Sequence, residues 1–134
     1  MPGKRVLICD DDLHILRAAE FKLRRAGLEV TCAHDGLEAW ERIQAEKPDL
    51  LVTDCQMPRL DGLTLARRLS EDPELADLPV VMLTAKGFEL ARRNETGCEN
   101  LVAILAKPFS PRELLRCIEQ VLETGAYVRP AAAI

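Results

Sequence analysis

With 134 residues the chain has the size of a single domain, and such a length buries roughly two thirds of the unfolded chain's surface without disulfides or a structural metal. Hydrophobic residues make up 48% and aromatic ones only 4%, so the core must be aliphatic. A net charge of -4 with basic and acidic residues interspersed excludes the electrostatic footprint of a nucleic-acid or anionic-lipid binder, and no apolar run reaches the ~18 residues of a membrane span.

A cytoplasmic protein with neither nucleic acid nor membrane as a direct partner is therefore expected. In chain order, residues 6–9 read as a first strand running into Asp10 and Asp11. Leu16, Ala19, Leu23 and Ala26 then keep helical spacing, and Gly27 supplies a stop. Residues 29–33 read as strand two. His34-Asp35-Gly36 turns the chain into a helix carrying Leu37, Trp40 and Ile43, ended before Pro48. Strand three, residues 50–53, is apolar at nearly every position, which predicts a central strand covered on both faces, and it runs into Asp54. The loop Met57-Pro58-Arg59-Leu60-Asp61-Gly62 is rich in turn formers, and a helix over about 63–69 follows.

Residues 72–79 read as a loop, 80–83 as strand four ending at Thr84, 87–94 as a helix followed by Gly97, and 102–106 as strand five ending at Lys107. The last helix has the clearest start: Ser110-Pro111-Arg112-Glu113 is a capping box with proline at the first helical position. Leu114, Ile118, Val121 and Leu122 form its buried stripe and Gly125 its end. Arg-Arg pairs at 24–25, 67–68 and 92–93 read as solvated helix faces. Cys9, Cys32, Cys55, Cys98 and Cys117 are an odd set without a C-x-x-C pair, hence buried reduced thiols, with Cys9, Cys32 and Cys55 as small core residues at strand positions. Strands alternating with helices predict an α/β fold with a doubly wound parallel sheet. One domain is expected over 1–125, with 126–134 as a short flexible tail.

A parallel sheet brings its strand carboxyl ends to one edge, where open α/β folds build their ligand crevices. Asp10, Asp11, Asp54, Thr84 and Lys107 would then meet in one shallow pocket. Three carboxylates offer hard oxygen ligands for Mg²⁺ (or Mn²⁺), and without a cation their mutual repulsion would raise a pKa. Phosphoryl transfer needs in-line positioning and neutralised equatorial oxygens. Asp54 suits the nucleophile, with metal, the Lys107 ammonium and the Thr84 hydroxyl each taking a different oxygen. Taken singly, each residue has a structural alternative: Asp10 to Asp12 as helix caps, Asp54 as a turn former, Thr84 as an N-cap, Lys107-Pro108 as a plain connection. All four at strand ends, in this order, point to a site.

On the acidic pair after Val6-Leu7-Ile8-Cys9, Asp54 with Met57-Pro58 and Asp61-Gly62, Leu83-Thr84-Ala85 and Lys107-Pro108-Phe109, the chain resembles a receiver domain of two-component response regulators over about residues 4–124, of the stand-alone, single-domain type. The resemblance implies a flavodoxin-like five-stranded parallel sheet of order 2-1-3-4-5 with helices on both faces. It implies Asp54 as phosphoacceptor from a sensor histidine kinase or histidine phosphotransfer protein. By position, Asp11 resembles the direct metal ligand, Asp10 a ligand through water, and the Gln56 backbone carbonyl the remaining protein ligand. Thr84 and Lys107 resemble the phosphoryl-sensing pair, and Pro108 the family's cis-proline.

Two departures stand out. The switch position on strand five, usually aromatic, is Ile104, which has no ring to swing. The segment from Gly97 to Lys107 is about three residues longer than the common form, so the helix before it or its exit loop should be altered. His14 and His34 match no functional position. The implied output is a phosphorylation-controlled surface on the helix at 87–94, strand five and the last helix, expected to act through a downstream protein, another subunit or competition for phosphate because no DNA-binding segment follows Gly125. Such a module catalyses only its own phosphotransfer and dephosphorylation and is not otherwise an enzyme. Two alternatives remain at this stage: a receiver-like binding module that is never phosphorylated, and a haloacid dehalogenase-type phosphatase built on the D-x-D of Asp10 and Asp12. The latter lacks its late acidic pair, since beyond Lys107 only Glu113, Glu119 and Glu123 remain, all in one helix.

Overall fold

The structure, a computed structural model, describes residues 3–85 and 99–125. The helix predicted at 87–94, Arg92-Arg93, Gly97, Cys98 and the tail 126–134 lie outside the described residues. In chain order the elements are β1 (Arg5–Cys9), α1 (Leu13–Arg25), β2 (Glu29–Ala33), α2 (Gly36–Ala45), β3 (Leu50–Asp54), α3 (Gly62–Glu71), β4 (Val80–Thr84), β5 (Leu101–Ala106) and α4 (Pro111–Thr124). The five strands form one parallel sheet of order β2-β1-β3-β4-β5, as expected.

Alternation along each strand sends neighbouring side chains to opposite faces of the sheet and so builds two aliphatic cores. Val6, Ile8, Val52 and Leu83 pack with Leu16 and Leu23 of α1 and Leu114 and Ile118 of α4. Leu7, Leu51 and Met82 pack on the other face with Ile43 of α2 and Leu65 and Leu69 of α3. β3 is buried at all five positions, which its unbroken apolar run requires of a central strand.

Several local expectations need correction. Leu37 lies exposed, because the inward stripe of α2 runs through Gly36, Ala39 and Ile43 at spacings of three and four, one position off from it. Ala26 is the exposed C-cap of α1, and Gly27 turns the chain with φ +94°. Cys55 is only half-buried just past β3, as is Cys32 in β2, whereas Cys117 of α4 is fully buried. The stretch 72–79 is irregular as predicted, yet Leu75 and Leu78 from it are core residues. β5 begins at Leu101, and its pairing slips: Val80 faces Leu101 while Val81 faces Ala103. Val102 is the extra residue, so Val102 and Ala103 turn to the same core, the signature of a bulge. The bulge adds one residue to the strand that leads to Lys107.

Three helices start at the carboxyl edge of the sheet on an aspartate. Asp12 accepts the His14 and Ile15 N–H groups, Asp35 that of Glu38, and Asp61 that of Thr64. Ser110 does the same for Glu113 in α4, and Pro111 follows at the first helical position. At the start of α2 the Glu38 carboxylate reaches back to the His34 N–H at 2.7 Å and meets Arg42 at 3.2 Å. That His34 N–H bond holds the Glu38 carboxyl below its ordinary value, against the opposing effect of burial and with help from the His34 ring and Arg42. A depressed folded pKa means stabilisation present above the unfolded value and lost as pH falls through the folded one. Glu38→Gln should therefore lower stability at neutral pH, by less than about 1 kcal/mol because the site is solvent-screened. Urea midpoints of variant and wild type should converge in acid.

Candidate functional site

Register alone brings the predicted residues together. Cys9 pairs with Thr53, so Asp10 and Asp54 leave adjacent strands at the same level. Asp54 pairs with Leu83 and Thr84 with Ala106, so Thr84 and Lys107 follow one step further along the same edge. The Lys107 N–H donates to the Thr84 carbonyl at 2.8 Å, and the Lys107–Pro108 peptide bond is cis.

Lys107 Nζ lies 3.0 Å from Asp10 Oδ2 and 3.3 Å from Asp54 Oδ1. Asp10 is completely buried, Asp54 and Thr84 nearly so, and Asp11 stands exposed at the mouth. Asp10 also accepts the Asp12 N–H at 2.9 Å. The alternative of the first three aspartates all serving as caps thus resolves by division: Asp12 caps α1, while Asp10 holds Lys107. With its carboxylate committed to the cap, Asp12 leaves a D-x-D phosphatase pair without its second member.

Burial pushes the Asp10 carboxyl up, against the Asp12 N–H and Lys107, which pull it down. Burial likewise raises Asp54, where Lys107 opposes and the Asp11 charge adds to the rise. For Lys107 burial acts downward, but Asp10 and Asp54 outweigh it and its pKa rises. The lysine attracts both carboxylates, yet the two stay raised because one ammonium cannot compensate the burial of two acids. One oxygen from each of Asp10, Asp11 and Asp54 lies within 4.8 Å of the others. That donor set, hard and excess in negative charge, fits a small divalent cation.

Gln56 is exposed in the loop that follows β3. Ile104 is half-buried against the α2/α3 core. His34 is exposed and bonded to Glu38, and His14 borders an apolar groove of about 430 Å³ lined also by Ile15, Ala18, Pro108, Phe109 and Pro111.

Sequence reasoning missed how the β3–α3 loop is fastened. Arg59, at φ +71°, places Nε 3.6 Å from Asp35 Oδ1. Met57 Sδ is 3.1 Å from Cys9 Sγ, whose thiol lies 3.2 Å from the Asp35 carbonyl. A Cβ on Gly36 would run into the Leu60 carbonyl, and one on Gly62 into the Asp54 carbonyl. The two glycines were legible as turn formers, but not as points of backbone contact.

The family model of the response regulator receiver domain matches residues 6–119. This chain belongs to that family. Among curated relatives, the receiver is 34% identical over 132 residues to the alkaline phosphatase synthesis transcriptional regulatory protein PhoP of Bacillus subtilis, covering 97% of the chain and 53% of that protein. It is 40% identical over 124 residues to the phosphate regulon transcriptional regulatory protein PhoB of Pseudomonas aeruginosa, covering 91% of the chain and 53% of PhoB. The chain thus spans about half the length of these relatives. Among solved structures, the chemotaxis response regulator CheY4 of Vibrio cholerae superposes with a TM-score of 0.81 at 28% identity, over 89% of this receiver and 98% of CheY4. The receiver domain of the sensor histidine kinase PA1611 from Pseudomonas aeruginosa PAO1, with a magnesium ion coordinated in its active site cleft, gives 0.80 at 28% identity, over 91% of this receiver and 99% of that domain.

Proposed function

We propose that this receiver is a phosphoacceptor module in which Asp54 takes a phosphoryl group from a phosphohistidine of a sensor histidine kinase or a histidine phosphotransfer protein. The observation that carries the reading is Lys107, shared between Asp10 and Asp54 beside a third carboxylate. An Asp54 carboxylate oxygen attacks phosphorus in line, the P–N bond breaks, and its electron pair returns to the departing imidazole. Asp10, Asp11, Asp54 and the Gln56 carbonyl would hold Mg²⁺ (or Mn²⁺), and the magnesium ion in the PA1611 receiver supports that assignment. When bound, the ion neutralises phosphoryl oxygens facing the carboxylates.

Lys107 then exchanges its Asp54 partner for a phosphoryl oxygen, and the Thr84 hydroxyl takes another. Because each contact exists only with phosphate present, each shifts the equilibrium between two conformations of the domain. Ile104, on the adjacent strand, passes the change on by packing rather than by a ring swing. The output is a surface presented to a downstream protein. The 430 Å³ groove between α1 and the 107–111 segment borders Lys107 and gives the donor protein an apolar foothold beside the acceptor. The module works in signalling, with no substrate turned over beyond its own acyl phosphate.

Incubation of the full chain with acetyl phosphate and Mg²⁺ should add one phosphoryl group by intact mass, and chelation of the metal should prevent it. A chain that stays unlabelled with metal present refutes the reading.

A further inference from the structure

We propose that Met57 is an oxidation site for hydroperoxides, and that its sulfoxide displaces the loop between β3 and α3. The effect of this on phosphorylation rests on the function proposed above, whereas the modification and the loop movement do not.

Met57 is half-buried, within reach of a small oxidant, while Met82, the other methionine among the described residues, is completely buried. Its sulfur touches two buried hydrogen-bond donors: Cys9 Sγ at 3.1 Å and Thr53 Oγ1 at 3.8 Å. Both are completely buried. The Cys9 thiol also lies 3.2 Å from the Asp35 carbonyl, and the Thr53 hydroxyl donates to the Asp54 carbonyl at 3.1 Å. These two contacts tie the sulfur pocket to the β2–α2 turn on one side and to Asp54 on the other.

Of the two adjacent sulfurs, the thioether is the reactive one. Cys9 is completely buried with its thiol held 3.2 Å from the Asp35 carbonyl, so the oxidant meets the half-buried Met57 first. A thioether needs no deprotonation. Its lone pair attacks one peroxide oxygen, the O–O bond breaks as the S–O bond forms, and sulfur loses two electrons. The other oxygen keeps the bonding pair, takes the proton and leaves as water or an alcohol.

The product is polar, with an oxygen that accepts hydrogen bonds strongly. A 3.1 Å sulfur–sulfur contact leaves no room for that oxygen on the inner side. Met57 must therefore leave the pocket, or draw the Cys9 and Thr53 hydrogens away from the Asp35 and Asp54 carbonyls. Either response moves the segment that carries Gln56, next to Asp54. Phosphoryl uptake should fall about tenfold, the lower end of what lost support around a metal site costs.

The test treats the full chain with hydrogen peroxide, locates added oxygen by peptide mass, and follows the amides of residues 55–62 by NMR. Oxygen on Met57 with shifted amides at 55–62 is expected, with slower uptake from acetyl phosphate, restored by methionine sulfoxide reductase and not by a thiol reductant. Met57→Leu keeps the apolar contact and should take up phosphoryl groups at a rate that peroxide leaves unchanged. Oxygen absent from Met57, or present with unmoved amides, overturns the inference. So does unchanged uptake by oxidised protein. Failure of untreated protein to take up phosphate would refute the proposed function alone, with mass and amide shifts still deciding the role of Met57.

Discussion

Replacing Asp54 with Asn should abolish phosphoryl uptake from acetyl phosphate and leave a fold no less stable than the wild type. The amide nearly matches the carboxylate in shape, so the contacts around β3 survive, but it has no anionic oxygen to attack phosphorus. The neighbours are poor substitutes: Asp10 is completely buried and bonded to Lys107, and Asp11 stands out at the mouth. The substitution also removes a charge that burial and Asp11 both disfavour, while Lys107 keeps Asp10 as a partner. Intact mass spectra should show a labelled wild type and an unlabelled variant, and urea midpoints in metal-free buffer should be equal or higher for the variant. Equal labelling would move the acceptor to another residue, and a markedly lower midpoint would show that the Asp54–Lys107 attraction outweighs the like-charge repulsion.

Gly62→Ala should cost about 3 kcal/mol, at the upper end of what a single extra methyl does in a packed site. Its Cβ would overlap the Asp54 carbonyl oxygen and sit 2.9 Å from the sulfur of Met82, which is completely buried. Neither neighbour can give way cheaply, since one is strand backbone and the other is sealed in the core. Gly36→Ala should cost a similar amount, because the Leu60 backbone lies in the path of its Cβ. Gly125→Ala is the control: φ is +82° but nothing lies within 4 Å, so only the left-handed backbone is strained, at about 1 kcal/mol. Urea unfolding of the three variants should rank Gly62 and Gly36 well below Gly125. A Gly62 variant as stable as the Gly125 one would mean that the β3–α3 loop yields without resistance.

Much of the architecture was legible because it follows from short-range rules. Apolar runs of about five residues bounded by turn formers are strands, and the serine before the last helical stripe is a cap. The errors fell where a residue's surroundings are not local. Leu37 has helical spacing from Trp40 but sits on the outer side of α2, and Cys32 and Cys55, expected in the core, are only half-buried. The bulge at Val102 left no mark either, since a run of apolar residues looks the same with or without one extra member.

The sequence by itself determined the parallel sheet, its strand order through family resemblance, and the identity of the acidic, hydroxyl and ammonium groups at the strand ends. Periodicity and composition carry that information because every residue on one edge is reached by counting along its own strand. Only the tertiary structure decided which aspartate does what. Asp12, Asp35 and Asp61 are consumed by helix N-termini, and Asp10 is drawn to Lys107, a partner 97 positions away. The same holds for the Met57 pocket, for Gly36 against the Leu60 backbone, and for Gly62 against the end of β3 and the Met82 sulfur. Such contacts depend on strand register and helix packing across the sheet, and neither is written in the spacing of residues along the chain.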